Sequence, residues 1–134
     1  MTTIIKDLDQ LIKSMEPILN PGVFAFVSVH NEETLKSVKV IASILESEGY
    51  SAVIAESDAL SLGLPILFRA AWITLTVNSD LQAVGLTAAF AGALGKAGIS
   101  CNVIAGAYHD HIFVPVERAE DAMKVLKALQ ASSN

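Results

Sequence analysis

The chain has 134 residues, of which 52% are apolar and 17% charged, and a formal net charge of −5. That length is one domain's worth, or two small units sharing a core, and the composition excludes intrinsic disorder, where low hydrophobicity and high charge prevail. The nine Lys and Arg are scattered and form no basic footprint, so nucleic acid is not an expected partner.

Ile5, Leu8, Leu11, Ile12 and Met15 stand at helical spacing, and Pro17 limits that helix before an Asn20-Pro21-Gly22 turn. The segment from Val23 to Val29 is dense in Val and Phe and reads as a buried strand. A helix is expected to open at Asn31 or Glu32, with Leu35, Val38, Ala42 and Leu45 as its apolar stripe and Gly49 as its cap. Ser51 to Ala55 reads as a strand, and Ser57 to Leu64 as a short connection before Pro65. Ile66 to Val77 reads as a strand region with a break near Ala70-Ala71, followed by a polar turn from Asn78 to Ala83. Leu86, Ala89, Phe90, Ala93, Leu94 and Ala97 carry the strongest helical periodicity, closed by Gly98. Ser100–Ala105 and His111–Val116 read as strands joined by a hairpin turn. A last helix from Glu117 to Leu129 turns Ala122, Val125, Leu126 and Leu129 inward, with acidic residues in its first turn. The second half thus reads strand, helix, strand, strand, helix, and a further strand, supplied from elsewhere in the chain or absent, would complete a ferredoxin-like unit.

The charge-free run Leu81–Gly95 is shorter than the roughly 18–20 apolar residues of a membrane span, so no membrane association is expected. The opening Met1-Thr2-Thr3-Ile4-Ile5-Lys6-Asp7 lacks a secretory layout, which points to the cytoplasm. The apolar surplus points to surface that meets another subunit, as in a homo-oligomer such as a dimer. Cys101 is the only cysteine, so no internal disulfide and no cysteine-based zinc cage is expected, and its apolar neighbours suggest a buried, inert thiol.

Two segments look alike. Val29-His30-Asn31-Glu32 leads to Gly49 and then Ala52-Val53-Ile54-Ala55, and Val77-Asn78-Ser79-Asp80 leads to Gly98 and then Asn102-Val103-Ile104-Ala105. The period of about 49 residues suggests a duplicated strand-helix-strand unit.

Val84-Gly85-Leu86, the apolar helix to Leu94, Ala97-Gly98-Ile99 and Asn102-Val103-Ile104 resemble the ACT domain. In that family a Pro-Gly pair opens the helix; here Val84 stands in the proline's place. The run Ala83–Phe90, then Asn102–Gly106 and His109-Asp110-His111, is similar to small bacterial proteins of two tandem ACT-like halves. The resemblance implies an α+β, ferredoxin-like fold of βαββαβ type, in two tandem subdomains with antiparallel sheets packed on helices. Residues 1–71 would be a degenerate ACT-like half and residues 72–134 an ACT domain. It also implies a non-catalytic regulatory module that binds an amino acid and acts through a partner, as in the regulatory part of aspartate kinase.

The residues around that helix start suit such a ligand. Ser79 and Gln82 have the spacing of a capping box, and a later start, at Val84, leaves a longer and more open loop. Either way free amides at a helix start suit a carboxylate, and Gly85 lets a ligand approach the backbone. Asn102 offers a donor and an acceptor, and Leu81, Val84, Leu86 and Val103 would line an apolar pocket. The candidate ligand-binding set is Asn78, Ser79, Leu81, Val84, Gly85, Leu86, Asn102, Val103 and Ile104. The plain alternative makes Ser79 a cap, Gly85 a packing contact and Asn102 a bond to a neighbouring loop.

His109-Asp110-His111 is the one cluster with catalytic potential. On a strand His109 and His111 would share a face, as two metal ligands do, but a third ligand would have to come from His30 or Glu56. A polar hairpin is the favoured reading. No nucleophile motif and no phosphate loop are present, so no catalytic residue, cofactor or metal is expected. A ligand-free interaction or oligomerisation module, and a small metal-dependent enzyme using His109 and His111, are the alternatives.

Overall fold

The computed structural model describes residues 7–77 and 84–132. The chain divides into two compact units: Pro21–Ala71, and Met1–Asn20 together with Trp72–Asn134. Each repeats one strand order.

The 21–71 unit starts with β2 (Phe24–Val29), which follows β1 (Pro17–Leu19) of the other unit in the chain. After β2 comes a 3-10 turn, Glu32–Leu35, opened by Asn31, whose side chain accepts from the Glu33 amide at 3.0 Å. Then come β3 (Val40–Glu46), β4 (Gly49–Ala55), α2 (Glu56–Ser61) and the first half of β5 (Phe68–Leu75). The strands lie in the order β5-β2-β4-β3. This is a βαββαβ pattern whose first helix has shrunk to the 3-10 turn. Ala25, Val27, Val29, Leu35, Ala52, Ile54 and Ala59 form its buried cluster, with Tyr50, Leu62 and Leu64 packed against them.

The helix expected from Asn31 to Gly49 does not form. Its stripe also fits a hairpin, and Val38, Val40, Ile41 and Ile44 are β-branched, which favours the pleated surface. Val40–Glu46 pairs antiparallel with β4, with Glu46 opposite Gly49 across the two-residue loop Ser47-Glu48 and a bulge at Ile41. Gly49 is therefore the first residue of β4 and not a helix cap. A Cβ there would lie 2.7 Å from the Val29 carbonyl oxygen, so only glycine fits. The segment from Val29 to Ala55 thus runs strand, 3-10 turn, strand, strand, so the sequence likeness aligns β4 with the strand at 102–105 out of step, while the duplication itself stands as two units of one strand order.

The other unit takes the second half of β5, α3 (Leu86–Lys96), β6 (Asn102–Ala105), β7 (Asp110–Pro115), a short 3-10 turn and α4 (Ala119–Ser132). The fourth strand comes from the start of the chain: β1 pairs antiparallel with β5, Ile18 opposite Thr74. The order is β1-β5-β7-β6. The break expected near Ala70-Ala71 is not a break. β5 is continuous, and its partner changes there, from β2 at Phe68–Ala70 to β1 at Ile73–Leu75. Among the described residues, 7–20 cluster with 72–132 as one compact unit.

Ile73, Leu75, Ile112 and Val114 are fully buried, as are Phe90, Leu94, Ala122 and Leu126 from α3 and α4. α1 (Leu8–Ser14) packs against both of these helices, burying Leu11, Ile12 and Met15. α3 ends as its periodicity predicts: the Ile99 amide returns to the Leu94 carbonyl at 2.9 Å, and Arg118 donates to the Ala97 and Gly98 carbonyls. Among the described residues no helix is long and apolar enough to cross a membrane.

Candidate functional site

α3 begins at Leu86, with Gly85 as its N-cap at φ +101. Gly85 has no side chain to cap the first-turn amides, and Val84 beside it is 85% exposed. Two demands hold Gly85: the left-handed backbone, and Leu8 of α1, whose Cδ2 would lie 3.0 Å from any added Cβ. Gly85 is thus a packing contact on one side, while Val84 leaves the turn open on another. Leu86 is 3% exposed and contributes to the core. Asn78, Ser79 and Leu81 lie outside the described residues.

The β6 residues are sorted by register. Asn102 is opposite Phe113, Val103 opposite Ile112 and Ile104 opposite His111. Cross-strand partners share a face, so Val103 turns to the side of buried Ile112, whereas Asn102 and Ile104 turn to the side of His111 and Phe113. Asn102 is exposed and makes no side-chain hydrogen bond to another described residue. The candidate residues therefore fall into two groups, Val84–Leu86 at the start of α3 and Asn102 with Ile104 on the opposite face of β6 from Val103.

That second face carries a polar cluster that sequence reasoning missed. Trp72 Nε1 donates to His111 Nδ1 at 3.0 Å, and Thr74 Oγ1 lies 3.2 Å from the same nitrogen. Asn20 Nδ2 donates to Thr74 Oγ1 at 2.9 Å, leaving the threonine's own proton for His111. An imidazole that accepts at Nδ1 is neutral and carries its proton on Nε2. Consistent with this, burial holds the His111 pKa below its ordinary 6.5, His109 pushes the same way, and Asp110 opposes. Trp72 also stacks on Phe113, centroids 6.2 Å apart. The signals were the alternation Trp72, Thr74 and His111, Phe113; what links them is strand pairing across 39 residues.

His109 precedes β7 in the hairpin turn, its carbonyl accepting from the Gly106 amide at 2.9 Å, and its Nδ1 has no partner among the described residues. Asp110 is 8% exposed, and burial raises its pKa above 3.8 against a smaller pull from His111. Among the described residues no group of three His, Cys, Asp or Glu is placed to hold a metal ion. Of the two remote candidates, Glu56 is paired with Arg69, which lowers its pKa, and His30 is exposed. Cys101 is half-buried, and burial raises the pKa of its thiol, which disfavours the thiolate. In the 21–71 unit a shallow groove of about 280 Å³ opens where the first helix is lacking, lined by Leu35, Lys36, Val40, Ser43 and Tyr50 beside Glu32 and Glu33.

Residues 3–71 match a family model described as an ACT domain, and residues 68–128 match a second model with the same description. No curated protein matches the chain. The crystal structure of a protein of unknown function from Vibrio cholerae, described as a possible transport protein, is 44% identical, with a TM-score of 0.83 over 92% of this chain and 95% of that one. The ligand-free regulatory subunit of aspartate kinase from Thermus thermophilus aligns with a TM-score of 0.69 over 87% of this chain and 97% of that one, at 10% identity. Aspartokinase III from E. coli, in complex with aspartate and ADP, aligns with a TM-score of 0.60 over 88% of this chain and 33% of that one, at 15% identity. The two kinase likenesses show the fold, ferredoxin-like in both compact units. With an ACT match over each half and that strand order in each unit, the chain belongs to the ACT domain family.

Proposed function

We propose that this chain is an amino-acid-binding regulatory module, itself non-catalytic, that acts on a cytoplasmic partner. In this reading the first-turn amides of α3 take the ligand's carboxylate beside Gly85, and the open Val84 turn, with Asn78, Ser79 and Leu81 before it, forms the mouth of the site. Asn102 and Ile104, which share one face of β6, contribute a polar and a flanking contact, while Leu86 and Val103, turned to the core side, support the site from beneath. The observation that carries the reading is the ACT match of both halves, since domains of this family are in general regulatory and bind small ligands. The start of α3 supports it, because Gly85 supplies no side-chain cap there and the helix dipole favours an anion.

The experiment is a melting series of the intact chain with each of the twenty amino acids at millimolar concentration. One or a few should stabilise the chain by about 2.7 kcal/mol at a hundred times the dissociation constant, roughly 10 °C for a chain of this size. A flat response across all twenty sinks the proposal. A second reading, an assembly module without a ligand, is favoured by one observation: Ile44 and Leu45 of β3 are 64% and 77% exposed.

A further inference from the structure

A sheet of this kind buries one face under its helices. In the 72–134 part of its unit, α3 forms the connection between the first and second strands and buries Leu86, Phe90 and Leu94. The same connection in the 21–71 unit holds only the turn Glu32–Leu35, of which Leu35 alone is buried.

The missing turns leave part of the core face uncovered. Val40, Ser43 and Leu45 of β3 share the face of their β4 partners Ile54, Ala52 and Tyr50, and Ile54 and Ala52 belong to the buried cluster with Leu35. The core face therefore runs on into the groove lined by Leu35, Val40, Ser43 and Tyr50. Val40 is 36% exposed there, and Leu45 beyond it 77%. The run from Val40 to Leu45 extends about 17 Å along the strand, and a helix of the 11 residues of α3 has the same length, about 17 Å.

The rim sets the charge of what fits. Glu32 and Glu33 line the groove with Lys36, whose ammonium pairs with Glu33 at 3.7 Å. Glu48 stands in the hairpin loop before Gly49 and Tyr50, and the Ser47 hydroxyl that donates to it at 2.8 Å holds its carboxyl below the usual range, so it stays charged. Across residues 21–71 six acidic side chains stand against three basic ones, so a partner with cations at its flanks is favoured.

We propose that this groove takes an amphipathic helix of another protein, about three turns long, with apolar residues at the i, i+4, i+8 spacing of α3 and Lys or Arg along its flanks. That helix supplies the layer that the 3-10 turn leaves out. Its apolar stripe covers Leu35, Val40, Leu45 and the Tyr50 ring, and its cations meet Glu32 and Glu33. The groove is then the partner surface of the regulatory reading and rests on that reading for its purpose alone, because helix binding is measured without any amino acid.

The test uses the full chain and a fluorescein-labelled, end-blocked peptide of about 15 residues, long enough to form a helix. The peptide carries Leu at i, i+4 and i+8 on an Ala background with Lys at the flanks; its twin carries Glu there. Fluorescence anisotropy should show saturable, micromolar binding of the Lys peptide and about tenfold weaker binding of the twin. Amide resonances should shift most at Leu35, Val40, Ser43 and Tyr50. Ser43→Arg puts a charged chain into the groove from an exposed position and should weaken the Lys peptide by about tenfold. The double variant Glu32→Lys, Glu33→Lys should reverse the preference between the peptides. Unchanged melting temperatures keep a loss of fold apart from a loss of binding. Peptide binding beside a flat amino-acid melting series would sink the amino-acid reading alone. Saturable binding of neither peptide (the result if a second copy fills the groove), equal binding of both, binding untouched by Ser43→Arg, or shifts centred elsewhere overturns the proposal.

Discussion

His111→Leu tests the polar cluster of the 1–20 and 72–134 unit. The substitution puts an apolar side chain of similar size in place of the imidazole and so removes the acceptor that lies 3.0 Å from Trp72 Nε1 and 3.2 Å from Thr74 Oγ1. Loss of an acceptor for half-buried donors is expected to lower stability by about 1–2 kcal/mol at pH 7.5. The pH dependence gives a second readout. The folded-state pKa of His111 lies below 6.5, so the unfolded chain binds its proton more readily, and stability falls as pH drops from above 6.5 through the folded-state value. Urea unfolding at pH 7.5 and 5.5, followed by the fluorescence of Trp72, the only tryptophan, measures both effects at the site itself. The wild type should lose more stability on acidification than His111→Leu does. A variant as stable as wild type at pH 7.5, or one that keeps the full acid loss, refutes the account of this cluster.

Asp110→Asn should act in the opposite sense. The carboxyl pKa is raised by burial, so the charged form destabilises the fold as pH rises above 3.8; the variant should melt higher than wild type at pH 7 and no higher at pH 3. Gly49→Ala should cost about 1–3 kcal/mol in urea unfolding, because its Cβ would meet a Val29 carbonyl held in the β2–β4 ladder; a loss within error of zero contradicts the hairpin register. Arg118→Ala should cost about 0.5–1 kcal/mol in thermal unfolding by freeing the last carbonyls of α3, and no change contradicts that role.

The legible parts of the fold were those where local pattern and burial agree. α3 follows its 3.6-residue period because Leu86, Phe90 and Leu94 all reach the core, and β2 is dense in Val and Phe because alternate residues are buried. The segment 31–48 was misread because Leu35, Val38, Ala42 and Leu45 satisfy helical spacing by coincidence. Only Leu35 of these is fully buried, and Leu45 faces outward from an edge strand. β1 was invisible for another reason: three residues carry no periodicity, and their strand character comes from pairing with Leu75, Thr74 and Ile73 far along the chain. The same limit applies to the site. Gly85 was readable as bare backbone that a ligand could approach or a neighbour could pack on, but its contact with Leu8 depends on how α1 packs. Asn102 was readable as a polar residue on a strand, while the face it occupies is decided by the β6–β7 register. The Trp72–Thr74–His111 cluster combines both, since each residue shows period-2 alternation and only the sheet brings them together.

Calorimetric titration of the intact chain with the amino acid that most raises its melting temperature tests the central claim most directly. The account predicts saturable binding that Asn102→Ala abolishes while leaving the melting temperature of the free chain within about 1 °C, as for other exposed positions without partners. No saturable heat with any amino acid, or full binding retained by Asn102→Ala, would contradict it.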